Sequence, residues 1–259
     1  MQVYRSLDEV VERGSIAPDS IINADCLEAM KFISDKSIDC IICDLPYGVT
    51  ACKWDVVIPF EPLWEQYKRI IKPNGAIVLF GSQPFTSALV MSNPRWFKYE
   101  WIWLKNKGSN YLNAKREPMK EHENILIFGN KAVSFYRQLE ERSESGKSRH
   151  NYGDNSAKKQ SANYGQQPSK TQRLGKSLRV PKSYQKFVSQ RGLHPTQKPV
   201  PLIEYLIKTY TLENEIIVDN TAGSGTLAIA AINTNRRYIC IEKDPDYFQV
   251  MRNRIENHD

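Results

Sequence analysis

No stretch approaching 20 apolar residues occurs in this 259-residue chain, and no charged-then-apolar leader opens it. Membrane anchoring and secretion are therefore not expected. Cysteine is scarce, with five in all and an odd count, which fits a reducing, cytoplasmic setting better than a disulfide framework. The Cys40-x-x-Cys43 spacing invites a zinc or redox reading, yet it falls on an expected strand, where residues three apart face opposite sides. No second cysteine pair or nearby histidine completes a set of ligands, so buried core cysteines and no metal are expected. The chain is long enough for a sizeable core in one large domain, or one and a half.

A net positive excess is missing from most of the sequence, although the net charge of the chain is +7. Residues 1–130 carry 15 basic and 16 acidic side chains, and residues 194–259 carry 7 and 9. Residues 131–193 carry 14 and 4, so the whole excess lies in this middle segment. It is poor in aliphatics, rich in Ser, Gln, Asn and Gly, and repeats Asn151-Tyr152-Gly153 as Asn163-Tyr164-Gly165. A solvated insertion would have this composition. So would a DNA-contacting one, because phosphates attract Lys and Arg while Tyr, Asn and Gln stack on or read bases. The second reading is preferred, since a charge-only tail seldom sits between two halves of a fold.

Two motifs carry chemistry. The apolar run Ile38–Cys43 reads as a buried strand and leads into Asp44-Leu45-Pro46-Tyr47-Gly48. An acid that accepts from an amino group, a proline that fixes the turn and an aromatic that stacks make a clamp for a flat heterocycle bearing an exocyclic amine. An ordinary strand-end turn is the bland alternative. The second motif is the strand Ile216–Asp219 followed by Asn220-Thr221-Ala222-Gly223-Ser224-Gly225-Thr226 and a helix-forming run. Its glycines permit positive φ and close approach to a ligand. Glu242 ends the next strand and is placed to accept from ribose hydroxyls. Together these point to a nucleoside-containing cofactor, and the loop alone leaves a nicotinamide open.

Strands are expected near 20–23, 38–43, 76–81, 100–104, 124–128, 215–219 and 237–241. Helices are expected at 26–33, 60–71, 84–92, 199–210, 225–234 and 245–256, with Pro73-Asn74-Gly75 ending the second by turn chemistry. This alternation predicts an α/β fold, a mostly parallel twisted sheet flanked by helices, with ligands above the carboxyl ends of its strands.

Taken together, the motifs resemble the amino-methyltransferases of DNA, and their order, clamp before cofactor loop, is similar to the beta group of that family. The resemblance covers roughly residues 20–130 and 194–256. It implies a Rossmann-like methyltransferase fold with a catalytic half at 1–130, a basic target-recognition insertion at 131–193 and a cofactor-binding half at 194–259. It implies S-adenosylmethionine as cofactor, double-stranded DNA as partner, and catalysis by Asp44, Leu45, Pro46 and Tyr47. By the same resemblance Asp25 meets the cofactor's adenine, Thr196 and Lys198 of His194-Pro195-Thr196-Gln197-Lys198-Pro199 meet the methionine moiety, and Lys198 faces its carboxylate. Asp219, Asn220 and the loop residues Ala222, Gly223, Gly225 and Thr226 hold the methionine end, while Glu242 takes the ribose. Trp103-Leu104-Lys105 and His122-Glu123-Asn124-Ile125-Leu126 resemble scaffold segments. The sequence departs from the family at Leu45, where proline is usual, and at Asn220-Thr221, where Pro-Phe is usual. Neither change removes a group that performs chemistry.

Within the family Asp at the first clamp position leans toward adenine, so N6-adenine is preferred and N4-cytosine kept as the alternative. Carbon-5 methylation is set aside, because it needs a cysteine nucleophile that follows a proline in that family, and none of the five does. An RNA or protein methyltransferase, a decayed DNA-binding module and a nicotinamide oxidoreductase are weaker rivals. A homodimer and a partner restriction endonuclease are implications of the resemblance only. Trp54 is expected to pack in the core or a loop rather than wall the base site.

Overall fold

The computed structural model describes residues 1–49, 52, 55–150, 177–190, 192 and 197–258. Trp54, the two Asn-Tyr-Gly repeats and His194-Pro195-Thr196 lie outside them. The chain divides into two compact units, Met1–Tyr136 with Ser183–Asp259, and Arg137–Lys182. In chain order the elements are β1 (Gln2–Tyr4), α1 (Leu7–Arg13), β2 (Ser20–Asn23), α2 (Cys26–Ala29), β3 (Ile38–Cys43), α3 (Phe60–Ile70), β4 (Ile71–Gly81), α4 (Phe85–Ser92), β5 (Phe97–Ser109) and β6 (Lys120–Phe128). There follow β7 (Glu140–Glu141), α5 (Glu144–His150), β8 (Leu178–Arg179), β9 (Tyr184–Lys186), α6 (Val200–Tyr210), β10 (Ile216–Asp219), α7 (Thr226–Asn233), β11 (Arg237–Glu242) and α8 (Pro245–Glu256).

In the larger unit the described strands form one sheet in the order β1-β2-β11-β10-β3-β4-β6-β5-β9. The run from β1 to β4 is parallel throughout, and β6 pairs antiparallel with both β4 and β5. Alternation along β3 explains why both faces are covered. Cys40 and Ile42 join the cluster built with α6, α7 and α8, while Ile41 and Cys43 join the one built with α1, α2, α3 and α4. All six β3 residues are buried, each large one contributing roughly 1.5–3 kcal/mol of apolar burial. Cys40 and Cys43 thus face opposite layers as free thiols.

One expectation fails at the start of β4. Pro73-Asn74-Gly75 is not a free turn after α3, because the helix runs directly into the strand at Ile71. Ile71 pairs with Ile38 and Ala76 with Cys40, so the turn residues form an irregularity within the ladder. The buried Asp39 carboxylate anchors it, accepting from Lys72 Nζ at 2.6 Å and from the Ile216 amide at 3.0 Å. In the smaller unit β7 and β8 pair antiparallel, and Arg179 meets Glu140 at 2.9 Å. Among the described residues no helix is long and apolar enough to cross a membrane.

Candidate active site

The spatial order β2-β11-β10-β3 puts four parallel strands side by side, and an acid stands at or just past the carboxyl end of each. These are Asp25, Glu242, Asp219 and Asp44. Strands lie about 4.8 Å apart, so the row spans about 14 Å. All four acids line one cavity of about 1080 Å³. The carboxyl edge of a parallel sheet is where α/β folds bind ligands.

Adjacent strand ends bring the two motifs into contact. The Thr221 hydroxyl donates to the Asp44 carbonyl at 3.1 Å, and the Cys43 thiol to Asn220 Oδ1 at 2.8 Å. Tyr67 donates to that same Oδ1 at 2.6 Å, while Asn220 Nδ2 is buried with no protein partner. Leu45, Pro46, Tyr47, Lys198, Asn220, Ala222, Gly223 and Thr226 also line the cavity. Gly225 does not; it sits behind the loop at φ +76°, where a Cβ would come within 2.6 Å of Met251 Cγ. Its absent side chain lets α7 and α8 pack. Thr196 falls outside the described residues.

Asp44 is held at both oxygens. The Tyr47 hydroxyl donates to Oδ1 at 2.8 Å, and the Lys198 ammonium bonds Oδ2. Lys198 is almost fully buried and also lies 3.4 Å from Glu123 Oε2, while the Lys105 ammonium bonds Glu123 Oε1. A chain of alternating charge, Asp44–Lys198–Glu123–Lys105, with Lys198 buried and the other three partly exposed, therefore crosses the cavity wall. Burial raises the Asp44 carboxyl above its ordinary pKa, with Lys198 opposing and Glu123 reinforcing the rise. At Glu123 burial pushes upward, but Lys198 and Lys105 overcome it and hold the group below the usual range. Lys198 is raised, since its two carboxylates outweigh the cost of burial. Tyr47 stacks on Phe85 with centroids 4.9 Å apart. Gly48 and Val49 beyond it donate to Asp55 at 2.8 and 2.9 Å, which fixes the exit of the turn.

On the other side of the cavity, Glu242 accepts from the Gly223 amide at 2.7 Å and the Asp244 amide at 2.8 Å. Asp25 caps α2 through Leu27 at 3.0 Å and pairs with Lys243 at 3.0 Å. Asp219 accepts from the Thr221 amide at 3.0 Å. Burial pushes its carboxyl up to about 7, helped by Asp44 and Glu242 and opposed by that amide. The resemblance marks Glu123 and Lys105 only as scaffold, yet both line this cavity. A buried acid beside two lysines has no local periodic signature, so only the fold brings these groups together.

The profile of the N6/N4 DNA methylase family matches residues 38–253. Two curated relatives are the type II methyltransferase M.HpaI of Haemophilus parainfluenzae, 25% identical over 92% of this chain and 74% of its own, and M2.DpnII of Streptococcus pneumoniae, 25% identical over 91% and 89%. Among solved structures, M1.HpyAVI in complex with SAM superposes with a TM-score of 0.60 at 24% identity, covering 90% of this chain and 98% of its own. The cytosine-N4-specific PvuII DNA methyltransferase gives 0.63 at 13% identity, covering 95% of each. The likeness to the two solved structures is one of fold, and the family match extends from the strand before the clamp into the last helix. The chain belongs to the N6/N4 DNA methylase family.

Proposed function

We propose that this protein is a site-specific DNA methyltransferase that moves a methyl group from S-adenosylmethionine to the N6 amino group of an adenine extruded from duplex DNA. The observation that carries the reading is the sharing of one cavity by the Asp44 carboxylate and the glycine loop of the neighbouring strand. Adenine is preferred because the resemblance implies it: Asp at the first clamp position leans that way within the family. The same clamp would serve N4 of cytosine, and the experiment below separates the two.

The cavity wall suits this cofactor chemically. Asp25 and Glu242 offer acceptors for amino and hydroxyl groups, Asp219 offers a carboxylate to a cationic group, and the orphaned Asn220 amide offers a donor. When bound, S-adenosylmethionine supplies an electrophilic methyl group on a positively charged sulfur. The chain supplies positioning and electrostatics. An exocyclic amine is a poor nucleophile while its lone pair is delocalised into the ring. Asp44 Oδ1 or Oδ2 and the Leu45 carbonyl would accept its two N–H bonds, drawing the nitrogen toward tetrahedral geometry and freeing the lone pair. Tyr47 and Lys198 hold the carboxylate in place, and Lys198 favours its ionised form. Tyr47 offers a ring for stacking against the base, which leaves the duplex at a cost of a few kcal/mol.

Expression in a methylation-free host followed by genome-wide mapping of modified bases tests this. N6-methyladenine at a recurring sequence is the expected result. N4-methylcytosine would correct the base, and no modified DNA would overturn the reading.

Asp219 gives a pH signature. Burial pushes its carboxyl up to about 7, and a cation bound beside it would lower that value. Cofactor affinity should therefore rise as pH increases through about 7, with proton release on binding. Calorimetry in buffers of different ionisation enthalpy should detect that proton in the parent protein and lose it in Asp219→Asn. Equal proton release from both would remove Asp219 from the cofactor site.

A further inference from the structure

The β5–β6 hairpin continues beyond the sheet to a tip that exposes two large apolar side chains. Tyr111 is 72% and Leu112 83% exposed, with Met119 nearby at 43%. Adjacent exposed residues of this size mark a surface that meets something. The tip is braced. Asn110 is left-handed at φ +69°, Tyr111–Asn113 forms a single tight turn, and the Arg116 and Glu117 amides donate to the Asn113 carbonyl at 2.8 and 3.1 Å. Residues 106–120 contain four cations, Lys107, Lys115, Arg116 and Lys120, all exposed, against one acid. That acid, Glu117, is engaged by the Asn110 amide. The stem of the same hairpin, residues 105–109, lines the cavity that holds Asp44.

We infer that this tip is a duplex-DNA contact, with its cations on phosphates and Tyr111–Leu112 wedged into the base stack beside the target nucleotide. The inference rests on the base-extruding reading above and adds a surface outside residues 131–193. Cations around a rigid apolar tip match a polyanion whose stacked interior is apolar. Proteins that open a base step insert such wedges. A wedge beside the active-site cavity would hold open the gap left by the extruded base.

The test uses the recognition sequence from genomic mapping, in one duplex fully paired and in another with the target base opposite an abasic position. In a Tyr111→Ala/Leu112→Ala variant, kcat/KM on the paired duplex should fall about tenfold or more, because part of the unpairing cost is no longer offset. On the abasic duplex it should return close to the parent enzyme, with S-adenosylmethionine affinity unchanged. Removing Lys115 and Arg116 should flatten the salt dependence of DNA binding by about 0.9 in logarithmic slope per lost phosphate contact. Unchanged activity on paired DNA would overturn the inference, and so would equal slowing on both duplexes. A parent enzyme inactive on every duplex is a separate result, and it would overturn the DNA reading itself.

Discussion

Replacing Asp44 by alanine should cut methyl transfer by about 10³-fold, the scale on which removal of one preorganised polar group acts in a water-poor site, while cofactor binding measured by calorimetry survives. The expectation follows from division of labour along the row of strand ends. Asp44 stands at the β3 end, whereas Asp219, Gly223 and Glu242 belong to β10, β11 and the loop between them. The Asp44 side chain bonds Tyr47 and Lys198 and none of the acids or loop residues on the cofactor side. Lys198 keeps Glu123 as a partner at 3.4 Å, so loss of the Asp44 side chain leaves the cofactor's wall in place. Asp44→Asn sharpens the test. It retains one acceptor oxygen and loses the charge; the donor-only Lys198 ammonium claims that oxygen and turns the amide NH2 toward the Tyr47 hydroxyl, so activity between the parent and alanine enzymes is expected. Substantial activity in Asp44→Ala would remove this carboxylate from the mechanism.

Much of this architecture was legible before the fold was known, for particular reasons. The Ile38–Cys43 run, broken only by Asp39, and the Ile216–Val218 run are apolar on both faces, and each is followed by an acid and a turn, so strand type and carboxyl end are legible in composition. Their adjacency could not, because the contact between Thr221 and the Asp44 carbonyl spans 177 residues and leaves no periodic trace. The same holds for Lys198 and Asp44, which are 154 residues apart. The hairpin is longer than its sequence pattern indicates, for a different reason. Strands were expected at 100–104 and 124–128, where core side chains alternate, but β5 and β6 extend to Ser109 and back to Lys120 through polar residues with no core to face. At Pro73-Asn74-Gly75 the turn chemistry was real, yet the ladder beside Asp39 absorbed it. The strand β1 and helix α1 have only Tyr4 and Val10 buried, too little pattern for a sequence signal.

Lys198→Met should produce the second large effect, in stability and in pH dependence together. The lysine is 8% exposed and lies between Asp44 and Glu123. Removing the cation from a buried ion pair leaves uncompensated charge, at a cost of about 3–5 kcal/mol. The direction of the pH effect follows from Asp44. Burial raises its pKa and Lys198 opposes that rise, so the variant's carboxyl must titrate higher still. The ionised form accepts the amine's hydrogens and exists above the pKa. Activity in the variant should therefore be lost at a higher pH than in the parent as pH falls. Single-turnover rates at saturating cofactor, measured across pH, would report the shift. Adding Glu123→Gln to Lys198→Met removes the second carboxylate, and with it a charge that also raises Asp44. The double variant should regain part of the lost stability and move its acid limb partway back. A purely structural lysine would give the stability loss with no movement of the limb. Only a lysine that holds Asp44 ionised predicts both changes and their joint partial rescue.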